Sequence, residues 1–212
     1  MAIATRRGYD DLPELLTALT GDEKHDRSVV STLDVLWVLY DRVLGAGDRF
    51  LLSKGHGPAA YYAVLAAKGL IPVEALAGFG GFDSPLGYHP DRVLAPGVEL
   101  SSGSLGHGLP IAVGVALAGR PTFVLVGDGE LDEGSNWEAV QYAGRIGLGL
   151  LTAVVVDNHS STYHWPGGIG ARFELEGWSL AHVDGRDHDA LERALTAAHS
   201  ERPHVVVAEV ER

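Results

Sequence analysis

Cysteine is absent from this chain of 212 residues, which excludes disulfides, zinc thiolate centres and a thiol nucleophile. Positive charge is scarce: 16 lysines and arginines face 28 aspartates and glutamates, and the net charge of −12 argues against nucleic acid or an anionic membrane as the main partner. No apolar run has transmembrane length and no secretory leader opens the chain, so we expect a soluble cytoplasmic protein. An anionic ligand would need local help from a metal, helix termini or some of the ten histidines.

The central part of the chain predicts a β-α-β unit. Residues 122–126 and 150–156 are short, β-branched apolar runs, typical of buried parallel strands. Between them, a Ser-x-x-Glu capping box at 135–138 predicts a helix over 137–146. Because crossovers between parallel strands are right-handed and return the chain beside its start, the two strands should be neighbours. With a hydrophobic fraction of 46%, the chain suits one α/β domain.

Each of these strands is followed by an oxygen-bearing side chain. Asp128 lies in a Gly-Asp-Gly turn after the first strand, and Asn158 follows the second. The carboxyl ends of parallel strands are where ligands bind in open α/β sheets. Carboxylate and carboxamide oxygens suit Mg²⁺ or Ca²⁺, and Mg²⁺ usually completes its shell with water and phosphate oxygens. The backbone N–H groups near Gly129 and the helix start at Ser135 add a partly positive surface. The pattern therefore predicts a metal–diphosphate site, although the turn and Asn158 taken alone fit a plain strand end and loop cap.

Five motifs in fixed order carry a family resemblance. The segment GDGELDEGSNWEA, with an asparagine thirty positions after its first aspartate, resembles the thiamine-diphosphate motif of transketolases, especially the N-terminal half of split, two-subunit members. The other motifs are DRFLLSKGHG at 48–57, GYHP at 87–90, PGVELSSGSLGHG at 96–108 and GWSLAHVDGRD at 177–187. The resemblance covers residues 25–210. It implies a three-layer α/β/α fold with a mostly parallel sheet, the PP-type domain that binds thiamine diphosphate.

The resemblance also implies a set of site residues. For the metal, Mg²⁺ or alternatively Ca²⁺ or Mn²⁺, it implies the side chains of Asp128 and Asn158 and the carbonyl of Ser160. For thiamine diphosphate it implies His56, Gly103, Ser104, Leu105, Asp128, Gly129, Glu130 and Asn158. For catalysis it implies His25, His56, His89, His107 (where the family has glutamine) and Glu133, the last in a carboxylate network between active sites. His56 could instead cap the following helix, and Glu133 could also support a helix dipole.

Three departures from the family concern the substrate, for the first two, and the diphosphate contact, for the third. Arg27 and Ser28 replace two glycines after His25, at a point where glycine allows the backbone to approach a ligand. The loop after Asn158 is shorter than in the family and contains Tyr163, His164 and Trp165. The chain ends at Arg212, without the family's segment that reaches the diphosphate.

The resemblance divides the chain into two parts. Residues 1–24 are expected to form an N-terminal arm or surface helix, with its leucines over 12–19, and residues 25–212 the PP-type domain. The pyrimidine-binding domain is missing, so we expect it on a separate C-terminal subunit, in an α₂β₂ assembly. Further elements are expected at 32–40, 59–68, 109–118 and 189–199 (helices) and at 50–52 and 205–210 (strands), with a long loop over 72–98. The 109–118 helix is apolar throughout, so we expect it to be buried, with Gly114 allowing close packing.

Three functions are compatible with these residues. The first is a split transketolase, which breaks a carbon–carbon bond in a ketose or 2-oxo donor and passes a two-carbon ketol unit to an acceptor. The second is another thiamine-diphosphate reaction, such as 2-oxo-acid decarboxylation or two-carbon transfer to a carrier. The third is a non-catalytic cofactor-binding subunit.

Overall fold

The computed structural model describes residues 7–19, 26–55, 58–162 and 165–210, without the side chains of 26–28. His25, His56, Tyr163, His164 and Arg212, as well as the Arg27 side chain, lie outside this description. No helix in the described ranges is long and apolar enough to cross a membrane.

Five parallel strands form one sheet in the described part of the chain, in the order β1-β2-β3-β5-β4. They are β1 (Arg49–Leu52), β2 (Thr122–Gly127), β3 (Leu151–Asp157), β4 (Ser179–Asp184) and β5 (His204–Glu209). The predicted pairing of the two central strands is confirmed, because β2 and β3 are in register from Thr122↔Leu151 to Gly127↔Val156. Strand β4 was not predicted. It is an edge strand whose residues are partly buried or exposed, so its sequence lacks the apolar run that marks the buried strands.

Helices cover both faces of the sheet and complete the expected α/β/α layers. They are α1 (Leu12–Ala18), α2 (Asp26–Val38), α3 (Pro58–Ala67), α4 (Gly108–Leu117), α5 (Gly134–Arg145), α6 (Gly168–Leu175) and α7 (His188–Leu195). Successive strand residues point to opposite faces. Leu125 and Val154 therefore pack in one apolar cluster with α1, α2, α3 and α7. Val124 and Val155 pack in another with α4, α5 and α6.

The predicted arm and the predicted long loop are both attached to the domain. Leu12 and Leu15 of α1 are 0% and 1% exposed within the core. The 72–98 segment contains only one short 3-10 helix, Val73–Gly78, as its glycines and prolines predict. Leu86 is fully buried and fixes this loop to the core, whereas Phe82 is fully exposed.

Two local predictions are wrong. Helix α4 is not buried all round, since Ile111 and Leu117 are 44% and 51% exposed, and a Cβ added at Gly114 would meet nothing within 4 Å. An apolar composition alone does not show which side of a helix a neighbour covers. No capping box opens α5: its N-cap residue is Glu133, without a side-chain cap, and the Ser135 hydroxyl donates to the carbonyl of Gly106 at 2.8 Å.

Candidate functional site

Asp128 lies where β2 ends, and its buried carboxylate holds the loop that follows β3. Its Oδ2 accepts the backbone N–H groups of Ser160 at 2.5 Å and Ser161 at 2.9 Å, and its Oδ1 accepts the Ser160 hydroxyl at 2.6 Å. The side chain is 1% exposed. The absence of a side chain at Gly129 lets Ser160 approach, since a Cβ there would lie 3.3 Å from Ser160 Oγ and 3.7 Å from its carbonyl oxygen. The loop that contains Ser160 is therefore held against the Asp128 carboxylate through the Ser160 nitrogen and hydroxyl.

Asn158 follows β3 at the same edge of the sheet, because Gly127 and Val156 are register partners. Its amide nitrogen donates to Ser31 Oγ at 3.3 Å. Its carboxamide oxygen is buried and accepts no hydrogen bond from any described residue. A buried acceptor without a donor is costly, and a cation is the kind of partner that such an oxygen suits.

Lys54, which was not among the predicted site residues, lies close to Asp128 and Asn158. Lys54 is 8% exposed, and its ammonium donates to Ser31 Oγ at 3.1 Å and Thr32 Oγ1 at 2.9 Å. Burial lowers the pKa of Lys54 to about 8, against the opposing effect of the Asp128 and Glu130 carboxylates. At neutral pH the side chain is therefore mainly a cation. A lysine inside the apolar and glycine-rich segment 50–57 was the signal available in the sequence.

Glu130 ties three loops together at the base of the site. Its Oε1 accepts the Ser53 hydroxyl and, at 2.9 Å, the backbone N–H of Gly106. The N–H of Gly108 donates in turn to Ser53 Oγ at 3.1 Å. Burial raises the pKa of Glu130, while these hydrogen bonds and the Lys54 charge oppose the rise. The predicted cofactor residue thus fixes the 103–108 loop relative to the end of β1.

His89 packs against the predicted ring-binding backbone. Its Nδ1 lies 2.9 Å from the Gly55 carbonyl, which can only accept, so Nδ1 carries the proton and a neutral ring has its lone pair on Nε2. Gly103 has φ +130°, and a Cβ there would lie 2.9 Å from His89 Cγ. A Cβ at Gly55 would lie 2.5 Å from the Gly103 nitrogen. These two positions therefore need glycine for the loops and the imidazole to meet.

The remaining predicted residues lie at the rim. Ser104 and Glu133 are exposed, and Leu105 is half-buried. A Cβ at Gly106 would come within 2.7 Å of Glu133 Cβ, so Glu133 adjoins the 103–108 loop. His107 is exposed and lines a cavity of about 510 Å³ between α4 and α5. The described residues thus bring together Asp128, Gly129, Glu130, Asn158 and Ser160, while His107 faces the helices.

Asp132 was not among the predicted site residues either. Its Oδ1 accepts the Ser161 hydroxyl at 2.8 Å, and its Oδ2 accepts the N–H of Thr162 at 2.9 Å. Together with Asp128, it holds residues 160–162 against the turn after β2.

Comparison with known proteins agrees with this geometry. Residues 40–210 match the model of the transketolase thiamine diphosphate-binding domain. The chain is 51% identical to "Ferredoxin fas2" of Rhodococcoides fascians, over 98% of the chain and 74% of that protein. It is 36% identical to one of the separately named subunits of the apulose-4-phosphate transketolase of Actinobacillus succinogenes, over 87% of the chain and 75% of that protein. Ferredoxins hold their iron–sulfur clusters by cysteine thiolates. The 212 residues of this chain contain no cysteine, so they cannot hold such a cluster despite the name of the fas2 relative.

Solved structures show the same fold over almost the whole chain. Transketolase from Leishmania mexicana superposes with a TM-score of 0.75 and 25% identity, over 95% of this chain and 36% of that one. Transketolase from Campylobacter jejuni gives a TM-score of 0.74 and 25% identity, over 99% and 38%. The chain therefore spans little more than a third of these transketolases and about three quarters of the fas2 and apulose-4-phosphate transketolase relatives. The motifs, the parallel sheet and the family match agree that this chain belongs to the transketolase family, as a thiamine diphosphate-binding domain.

Proposed function

We propose that the chain is the thiamine-diphosphate-binding subunit of a two-component transketolase, which transfers a two-carbon ketol unit from a ketose or ketose phosphate to an acceptor. The observation that carries the proposal is the oxygen of Asn158, which is buried without a donor among the described residues, beside the end of the strand that bears Asp128. The relatives that are themselves named as single subunits of a transketolase support the two-component arrangement.

The proposed metal site uses the side-chain oxygens of Asp128 and Asn158 and the backbone carbonyl of Ser160. The donor set fits Mg²⁺, with Ca²⁺ or Mn²⁺ as substitutes, because all three donors are hard oxygens. A carboxylate has about four lone-pair positions, so the hydrogen bonds from residues 160 and 161 leave Asp128 room to bind a cation. Diphosphate oxygens and water would complete the shell.

Thiamine diphosphate, when bound, supplies the carbanion chemistry that breaks and forms the carbon–carbon bond. The chain's own residues position it. Gly103, Ser104 and Leu105 offer backbone next to the ring, and Gly129 and Glu130 shape the turn that meets the diphosphate. His89 offers its Nε2 to a substrate oxygen as a hydrogen-bond partner or proton acceptor. We assign His25 and His56 to the same task, Glu133 to the network towards the partner, and His107, which lines the cavity between α4 and α5, to the side that faces the partner.

The proposed partner is a subunit with the pyrimidine-binding domain, in an α₂β₂ assembly. Thiamine enzymes need a glutamate beside the aminopyrimidine ring, and the family resemblance assigns it to that domain. Two exposed apolar residues, Ile111 of α4 and Tyr142 of α5, line the same cavity as His107. We place the partner on this face because it is continuous with the rim of the site.

Calorimetric titration of thiamine diphosphate tests the site. We expect binding that requires Mg²⁺, and affinity at least about 100-fold weaker in Asp128→Asn and Asn158→Ala, because ligand loss should exceed the 10- to 100-fold cost of changing outer partners. His182→Asn is the control, since that exposed side chain lies on β4, two residues before the end of the strand. Binding that is independent of Mg²⁺ and of both residues would contradict the site.

Reconstitution tests the reaction. The chain alone should show no ketol transfer, and co-purification with the product of a neighbouring reading frame should restore it. A second candidate is a thiamine-diphosphate reaction on a 2-oxo acid. The replacement of two family glycines by Arg27 and Ser28 motivates it, and the Arg27 guanidinium suits a carboxylate as well as a phosphate, so the donor has to be decided by experiment. Turnover of 2-oxo acids but not of ketose phosphates by the reconstituted enzyme would establish the second candidate and exclude the first.

A further inference from the structure

Lys54 is a buried cation that forms no ion pair with any carboxylate that the structure describes. Its side chain is 8% exposed, and no described acidic oxygen lies within the 4.0 Å of an ion pair. Its two side-chain hydrogen bonds go to hydroxyl groups of α2. Burying an ammonium group is expensive unless its surroundings compensate, so this placement calls for an explanation beyond packing.

The hydroxyl of Ser31 links this cation to the metal site. Ser31 Oγ lies 3.1 Å from Lys54 Nζ and 3.3 Å from Asn158 Nδ2. An ammonium and an amide NH₂ group can only donate, so the serine oxygen accepts from both. Asn158 is thus held by its nitrogen, and its oxygen is turned away into a buried position without a described donor.

The methylene groups of Lys54 pack against Gly127, the residue that precedes Asp128. A Cβ at Gly127 would lie 3.3 Å from Lys54 Cδ and 3.4 Å from its Cε, so the lysine passes closely over the end of β2. The Lys54 side chain therefore lies between the end of β2, which Asp128 follows, and α2, whose Ser31 accepts a hydrogen bond from Asn158. A change in the length of the Lys54 side chain or in its hydrogen-bond donors would therefore shift the Asn158 side chain.

We propose that Lys54 is a positioning residue: through the Ser31 hydroxyl it holds the Asn158 carboxamide by its nitrogen and presents the carboxamide oxygen to the divalent ion. The inference rests on the proposed function and deepens it, because it adds a link between the Ser-Lys-Gly motif and the metal. Lys54 acts through Ser31, and it need not touch the substrate.

Binding of Mn²⁺ to the purified chain, in the presence of thiamine diphosphate, measures this directly. The free ion gives a six-line electron paramagnetic resonance signal that is lost on binding, so no turnover is needed. We expect Lys54→Met and Ser31→Ala each to weaken Mn²⁺ binding about 10- to 100-fold, the usual cost of changing a group that orients a metal ligand. Ser31→Thr, which keeps the hydroxyl, should restore binding. Thr32→Val is the matched control, because it removes the other hydroxyl bonded to Lys54, and its effect should stay below about threefold.

The double variant separates a relay from two independent effects. If Lys54 acts through Ser31, Lys54→Met with Ser31→Ala should bind Mn²⁺ no more weakly than the weaker single variant. Thermal unfolding of each variant shows whether the fold is kept, and Ser31→Ala tests the link even if Lys54→Met does not fold. Multiplicative losses, or single variants that bind Mn²⁺ like the wild type, would overturn the inference and leave the proposed function standing. A wild-type chain that binds neither Mn²⁺ nor thiamine diphosphate would overturn both.

Discussion

Replacing Asp128 by asparagine should loosen the loop after β3 even without a metal. The carboxylate accepts three hydrogen bonds from Ser160 and Ser161, at 2.5, 2.6 and 2.9 Å. Hydrogen bonds to a charged group contribute about 1.5–3 kcal/mol each. An asparagine keeps one oxygen for the two backbone N–H groups but loses the charge, so we expect the free energy of local opening to fall by about 2–3 kcal/mol.

Amide hydrogen exchange reports this opening residue by residue. Since 1.4 kcal/mol is a factor of ten, exchange at Ser160 and Ser161 should accelerate about 30- to 150-fold in Asp128→Asn. Asp132→Asn is the matched control: it should accelerate exchange at Thr162, whose N–H Asp132 accepts, and leave Ser160 almost unchanged. Adding Mg²⁺ and thiamine diphosphate should slow exchange at Ser160 in the wild type but not in Asp128→Asn. Unchanged exchange at Ser160 and Ser161 in Asp128→Asn would refute the reasoning.

Three further predictions concern stability. Burial lowers the pKa values of His199 and His204, whose ring centroids lie 5.0 Å apart, from the usual 6.5. Below pH 6.5 the two histidines therefore bind protons more readily in the unfolded chain than in the folded chain. The urea midpoint should fall as the pH drops below about 6.5. Gly144→Ala should destabilise the protein by at least about 2 kcal/mol, because the new Cβ would lie 1.7 Å from the backbone oxygen of Glu176, which follows α6. Gly114 lies in open space on α4, so Gly114→Ala should raise the free energy of chemical unfolding by about 0.5–1 kcal/mol. Arg172→Ala should lower the free energy of unfolding by about 1–2 kcal/mol, because its guanidinium lies 3.6 Å and 4.1 Å from two tryptophan ring centres.

Each of these predictions has its own control. His182 is exposed, so His182→Asn should keep the fall in stability at low pH, while His204→Asn should reduce it. Equal destabilisation by the two glycine variants would show that the contact after α6 does not matter. Arg172→Lys keeps the charge but not the flat guanidinium that stacks on Trp137 and Trp165, so it should recover only part of the loss. A pH-independent urea midpoint between pH 8 and 5.5 would contradict the histidine prediction.

The sequence predicted the central unit because its signals are local. The apolar runs at 122–126 and 150–156 became β2 and β3 within one residue, and the glycine and proline content of 72–98 predicted an irregular segment. Strand β4 left no such signal because its residues are partly buried or exposed, whereas those of the other edge strand, β1, are mostly buried. The exposed side of α4 was missed for the opposite reason, since its apolar residues look the same whether a neighbour covers them or not.

What the sequence by itself determined is the pair Asp128 and Asn158 at adjoining strand ends, since two apolar runs, a crossover and the handedness of parallel connections fix that placement. Only the tertiary structure decided which groups support the pair. Ser31 and Lys54 come from α2 and the end of β1, far from Asn158 along the chain, and Asp132 reaches residues 161 and 162 across the loop. Such contacts depend on three-dimensional packing, in which burial and hydrogen-bond geometry leave no periodic trace in the order of residues.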